Sequence, residues 1–164
     1  DVQSVTFGVG LAQSNSGQQA VSVKIYDGYN LSGAPNFPTR GTLVGSFTQQ
    51  IANGANFNLT WNVPATIMTG LMYVEVESVN PDPFLQNGMI FTVGANSAGQ
   101  TAPWYLVAPS CGANNPIPNF ALGFPNDHMV LSVTGMEASA IPTPLAGALS
   151  VVGLSGIVST RRRR

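Results

Sequence analysis

Apolar and polar side chains alternate in short runs along residues 1–135, and Gly, Pro, Asn and Asp break the runs at brief intervals. Successive side chains of a strand point to opposite faces, whereas a helix buries every third or fourth residue. A chain written this way folds as half-buried strands joined by turns. The clearest run is Ala20 to Tyr26, with Val21, Val23 and Ile25 on one side and Ser22, Lys24 and Tyr26 on the other.

The same pattern predicts a first strand over Val2 to Val9, closed by Gly10, and an end to the second at Asp27-Gly28. A third strand is expected over Leu43 to Ile51. Asn53-Gly54 is a tight-turn signal leading into a fourth, where Phe57, Leu59 and Trp61 should face the core and Pro64 ends the run. Leu71 to Val79, Gly88 to Gly94, Trp104 to Ala108 and His128 to Thr134 complete the set. Pro109 to Asp127, with four prolines, is expected to hold little regular structure. Seven or eight short strands with turn punctuation predict an all-β fold, a two-sheet β-sandwich of jelly-roll type spanning residues 1–135.

The charge balance narrows the function classes. Only 8% of residues are charged, against about 25% in ordinary soluble domains. Residues 1–160 carry two basic side chains, Lys24 and Arg40, and seven acids, so 2 − 7 gives a net charge of −5. Nonspecific nucleic-acid binding rests on Lys and Arg displacing counterions, and an acidic body is unsuited to it. Solubility comes from Asn, Gln, Ser, Thr and Gly, a style common on bacterial secreted and surface domains. Cys111 is the only cysteine, which reads as a free thiol or as a half-cystine whose partner is missing. The chain starts at Asp1, consistent with a mature or clipped form.

After residue 135 the character changes. Residues 136–144 form a linker that ends on Pro142-Thr143-Pro144, and residues 145–164 are an apolar segment closed by Arg161-Arg162-Arg163-Arg164. Leu145 to Thr160 predicts a single hydrophobic helix of 16 residues, about 24 Å long against a bilayer core of about 30 Å. Snorkelling arginines and the preceding Pro-Thr-Pro stretch close most of that gap. A core helix packed on the sheets and an ordinary membrane anchor with its arginines on the cytoplasmic side are two readings of it.

A third reading comes from resemblance. A proline motif, a short Gly/Ala/Leu-rich helix and a terminal arginine run, here Ile141 to Arg164, resemble the PEP-CTERM sorting signal of bacterial exported proteins. Thr143 stands where the namesake motif has glutamate. The resemblance implies export, initial anchoring in the cytoplasmic membrane by the C-terminal helix, and handling by exosortase, a transpeptidase-like membrane enzyme. The stretches Val5-Thr6-Phe7-Gly8, Ala98-Gly99-Gln100-Thr101-Ala102-Pro103 and Gly123-Phe124-Pro125-Asn126-Asp127-His128 are similar to uncharacterised sandwiches that precede such tails. That likeness implies no activity.

Catalytic chemistry has little to work with in this sequence. His128 is the only histidine, so any Ser-His-Asp or Cys-His arrangement must use it; a hydrogen-bonded residue at a strand end is the simpler account. Zinc needs several His or Cys ligands and the sequence has one of each. No cofactor is expected. Asp27, Asp82 and Asp127 sit at strand ends, where calcium is the metal they would suit and turn formation the plainer role. Glu75 and Glu77 share a strand face about 7 Å apart, a spacing met in glycosidases and also in solvated, edge-protecting strands.

Aromatic residues are the remaining binding candidates. Trp104, Tyr105 and Tyr29, with Tyr26 beside it, border loops rich in Gly and Pro. Rings so placed stack on sugars, with extracellular polysaccharide as the partner; the alternative is that Trp104 packs inward and Tyr105 caps it. The sequence therefore predicts a non-enzymatic envelope or extracellular-matrix protein, with carbohydrate binding at the cell surface as the rival.

Overall fold

Among the described residues every long strand is paired with at least one antiparallel neighbour. The computed structural model describes residues 1–29, 40–78, 89–99, 102–109 and 112–137. Eleven strands lie within them: β1 (Val2–Ser14), β2 (Gln18–Tyr29), β3 (Arg40–Ala52), β4 (Gly54–Ala65), β5 (Met72–Ser78), β6 (Met89–Val93), β7 (Ala95–Asn96), β8 (Tyr105–Ala108), β9 (Ala113–Pro118), β10 (His128–Met129) and β11 (Leu131–Gly135). The fold is all-β with antiparallel pairing throughout these residues.

β1 and β2 are the central strands of two sheets. β4 runs along one side of β1, while the other side is shared by β11, beside Val2–Phe7, and β6, beside Val9–Ser14. In the second sheet β2 lies between β3 and β5. Val5, Phe7 and Val9 of β1 and Val21, Val23 and Ile25 of β2 are all at most 1% exposed, and they share one core with Trp61 and Val63 of β4. Trp61 locks this core edge-on, its ring 4.9 Å from Phe7 and 5.3 Å from Phe47.

β1 extends past the Gly10 stop that the sequence suggests. Its buried positions run Val2, then Val5, Phe7 and Val9, then Ala12 and Ser14. The phase changes coincide with register shifts between Val2 and Ser4 and, against β6, between Val9 and Leu11. An extra residue in one strand turns the side chains after it to the other face. Gly10 thus marks a bulge, and β1 continues. β2 likewise passes through Asp27-Gly28, where Gly28 N–H donates to the Leu71 carbonyl at 2.8 Å.

Three backbones meet at Gly8. Its N–H donates to the Val130 carbonyl (2.8 Å), the Gly94 N–H donates to the Gly8 carbonyl (2.8 Å), and the Val130 N–H donates to the Gly94 carbonyl (2.9 Å). Beyond this closed ring the chain leaves β1, and β7 pairs with β10 through Asn96 and His128. A Cβ on Gly94 would sit 2.9–3.0 Å from Gly8 backbone atoms, so a side chain cannot occupy this crossing.

Asn53-Gly54 does not close a hairpin. β3 and β4 belong to different sheets, and Asn53 carries the chain from one to the other. Its side chain imitates a strand: Oδ1 accepts from Ser14 N–H at 2.8 Å and Nδ2 donates to the Ser14 carbonyl at 2.9 Å. Gln19 ties the layers from inside, 1% exposed, donating to the Ile90 carbonyl and accepting from Ser78 Oγ.

The stretch expected to be irregular holds β9, which pairs with β8, and a 3₁₀ turn over Asn119–Leu122. Proline obscured it: Pro116 and Pro118 lack the N–H that a central strand needs, yet a two-stranded ribbon leaves one edge free of that demand. The predicted C-terminal helix and the Pro142-Thr143-Pro144 and Arg161–Arg164 motifs lie outside the described residues, as do Cys111 and Asp82.

Candidate functional site

The candidate residues fall into two clusters. The first is the outward face of the β3-β2-β5 sheet. Register sets Ser22 opposite Glu77, Lys24 opposite Glu75 and Tyr26 opposite Tyr73. Lys24 reaches diagonally to pair with Glu77, and Arg40, at the start of β3, pairs with Glu75. Arg40 also donates to the Tyr26 hydroxyl at 3.0 Å and stacks over its ring, 5.1 Å from the centroid. Tyr73 lies 5.8 Å from Tyr26 and 6.3 Å from Tyr29, which places Tyr29 in the same lattice.

This face is half-buried and balances its own charge. The Arg40 and Glu75 side chains are 19% and 15% exposed, those of Lys24 and Glu77 29% and 35%. The hydrogen bond to Glu77 holds the Lys24 ammonium above its ordinary range, against the pull of burial. Burial raises Glu77, but the Lys24 hydrogen bond and charge and the Ser22 hydroxyl outweigh it and leave the carboxyl lowered. Burial pushes both Tyr26 and Tyr73 up, and the nearby Glu75 charge adds to it. Two cations meet two anions here, so the pair Glu75 and Glu77 serves as one half of an ion-pair lattice joining three strands. A glycosidase pair instead flanks a sugar with both carboxyls open to it.

Asp27, at the end of this face, is committed to a turn. Its carboxylate accepts from the Thr69 hydroxyl at 2.6 Å and from the backbone N–H of Thr69 and Met68 at 3.0 Å each, and the Thr69 bonds lower its pKa. Among the described residues no group of three or more His, Cys, Asp or Glu could hold a metal ion.

The second cluster gathers around Trp104. Its indole N–H donates to the Asp127 carbonyl at 2.8 Å, and the buried Asn119 amide donates to the carbonyls of Phe124 and Asp127 at 3.1 Å each. These bonds fold the 3₁₀ turn and the chain after it back onto β8. A small depression of about 60 Å³ results, bordered by Trp104, Tyr105, Phe120, Phe124 and His128. Phe120 and Phe124 are 69% and 55% exposed. Sequence patterning had no means of finding these two rings, because both lie in the proline-rich stretch without alternation.

His128 borders this depression, and its Nδ1 is the one buried side-chain polar atom among the described residues that meets no hydrogen-bond partner. In a Ser-His-Asp arrangement one imidazole nitrogen is held by a carboxylate. Asp127 contributes its backbone here: its carbonyl accepts the Trp104 and Asn119 bonds, and its N–H donates to the Phe124 carbonyl. Trp104 and Tyr105 are therefore in one cluster and Tyr29 in the other.

No protein-family model, curated protein or solved structure matches this chain.

Proposed function

We propose that this is a non-enzymatic exported protein of the bacterial cell envelope or extracellular matrix, delivered by its C-terminal segment. The observation that carries the proposal is the layout of Ile141 to Arg164: Pro142-Thr143-Pro144, an uncharged apolar stretch, then Arg161 to Arg164. An apolar stretch of near-membrane length followed by clustered arginines has a definite resting place, with the arginines on the cytoplasmic side. In this proposal the facing sheets are a jelly-roll-like β-sandwich displayed outside the membrane, and exosortase acts on the tail. The uncharged polar surface and the self-neutralised Lys24/Arg40/Glu75/Glu77 lattice support a structural body.

A reporter carrying residues 141–164 at its C-terminus, expressed in an exosortase-containing host, tests it. The expected result is a membrane-bound precursor and a trimmed product, visible as a mass difference. A reporter that stays soluble and full length removes the basis of the proposal.

Carbohydrate recognition is a second reading, favoured by the exposure of Phe120 and Phe124 beside Trp104. Paired exposed rings stack on sugar faces. A glycan array comparing the wild type with Phe120→Ala and Phe124→Ala addresses it, since neither ring takes part in the bonds that hold Trp104. Equal, negligible binding by all three proteins ends this reading.

A further inference from the structure

The two sheets treat their edges very differently. β5 is 7 residues long and carries Glu75 and Glu77, and β6 and β11 are 5 residues each. Short length and charge are the usual protections against edge-to-edge pairing. β3 has 13 residues and β4 has 12, and among the described residues each pairs on one side only. From Gly41 to Val74 the sequence has no Asp, Glu, Lys or Arg. β4 is blunted at its ends by Pro64 and by Asn56, whose φ is +55°. The β3 run from Gly45 to Ala52 has no such device, since its register irregularity lies before Gly45.

That run is also exposed. Ser46, Phe47, Thr48, Gln49 and Gln50 are all exposed, whichever face they occupy. Phe47 and Gln49 stand opposite Val23 and Val21, which are fully buried, so they belong to the inward face and still meet solvent. Between β3 and β4 the layers leave an open groove of about 430 Å³, lined in part by Gln49, Ile51, Phe57 and Leu59.

We infer that the β3 edge pairs antiparallel with the β3 edge of a second copy of this chain, extending the β3-β2-β5 sheet into a continuous sheet across a twofold axis. Identity of the partner follows from symmetry and charge. An isologous strand pair brings each residue beside its own kind or a near neighbour, so any charge would meet a like charge; Ser-Phe-Thr-Gln-Gln-Ile contains none. With the axis near Thr48, Phe47 comes opposite Gln49 and Ser46 opposite Gln50 of the other copy. Main-chain hydrogen bonds supply the affinity, and the added strand covers Phe47 at the mouth of the groove. A single strand pair lies at the small end of specific interfaces, so a dissociation constant of roughly 10 µM is expected. The inference is independent of the sorting proposal, and either can fail without the other.

Sedimentation velocity of the full chain in mild detergent, from about 1 µM to about 0.2 mM, is the test. The wild type should pass from monomer to dimer across that range. Thr48→Lys/Gln50→Lys should weaken association at least about tenfold; the two lysines take the full chain from −1 to +1, so the repulsion between net charges keeps its size and the change is read at the edge itself. Asn58→Lys on the β4 edge should leave it unchanged. Circular dichroism of each variant reports folding, and amide hydrogen exchange of the wild type should show, for the alternate amides of 46–50 that point away from β2, protection that is lost on dilution. A wild type that stays monomeric, a double-lysine variant that still dimerises, or an Asn58→Lys variant that dissociates overturns the inference.

Discussion

Lys24 and Arg40 are the only cations before the terminal arginines, and both reach carboxylates on the same outward face. The two ion pairs differ in depth. Glu75 and Arg40 are the more buried, and Arg40 also holds Tyr26, so removing the Glu75 charge takes an anionic partner from a largely desolvated guanidinium. Glu75→Gln should cost about 2 kcal/mol, between the values for surface and buried pairs, and Glu77→Gln less than about 1 kcal/mol. Urea unfolding of the two variants checks the order, and the reverse order refutes this account of the face. Alkaline pH acts on the same residues. Tyr26 and Tyr73 are raised from 10.0 by burial, and Lys24 from 10.5 by its bond to Glu77. In the folded protein all three keep their protons at a pH where the unfolded chain releases them. Their stabilisation is complete below pH 10 and is lost as pH rises through the folded values. The melting temperature should therefore fall above pH 10, and Tyr73→Phe should flatten that fall. On the acid side Glu77 acts in the opposite sense: its lowered pKa stabilises above 4.5, and that contribution disappears as pH drops through the folded value.

At the level of strands, the ring formed by Gly8, Gly94 and Val130 decides where β6 and β11 part from β1. A Cβ at Gly94 meets backbone at 2.9–3.0 Å, while one at Gly8 meets the Val130 side chain at 2.9 Å, with Gly94 Cα at 3.3 Å. Backbone in a closed ring has no room to yield, so Gly94→Ala should cost about 3 kcal/mol or more and Gly8→Ala about 1–2 kcal/mol. Thermal unfolding measures both, and equal costs would mean that the ring relaxes freely. This junction also marks the limit of sequence reading. Period-two alternation made β2 and β4 legible, because Val21, Val23 and Ile25, and Phe57, Leu59 and Trp61, keep one phase throughout. β1 was truncated in that reading because its bulges reverse the phase twice, and Gly10 looks like a stop when only one strand is in view. Asn53-Gly54 has hairpin composition, yet the side chain of Asn53 bonds Ser14, which lies 39 residues away and cannot be inferred from neighbours. Glu75 and Glu77 were legible as a pair on one face, but their cationic partners depend on register between strands. For the same reason Trp104 could be named as a candidate while Phe120 and Phe124, its exposed companions, could not.

Taken as a whole molecule, the chain separates its charge from its adhesive edge. Residues 1–144 carry −5, and the full chain carries −1, since Arg161 to Arg164 add four positive charges. Two bodies of −5 with centres about 30 Å apart repel by about 1 kcal/mol at 10 mM salt and by about 0.2 kcal/mol at 0.1 M. The β3 edge itself has no charge to screen. Added salt should therefore tighten association of residues 1–144 by about fivefold over that range, because only the repulsion responds. Every described strand lies within these residues, so the shorter form keeps all of them. For the full chain the product of net charges is 25-fold smaller, by (−5)² against (−1)², and salt should have almost no effect. An edge held by ion pairs, or arginines reaching across to the acidic body of another copy, would give the opposite sign and weaken with salt. Sedimentation of both forms at the two salt concentrations distinguishes these cases: tightening in the short form with a flat response in the long one supports pairing through β3, and weakening in either contradicts it. If tail removal follows export, the same arithmetic makes association of the released body depend on the ionic strength outside the cell, where salt concentration becomes the control on how far its sheets extend.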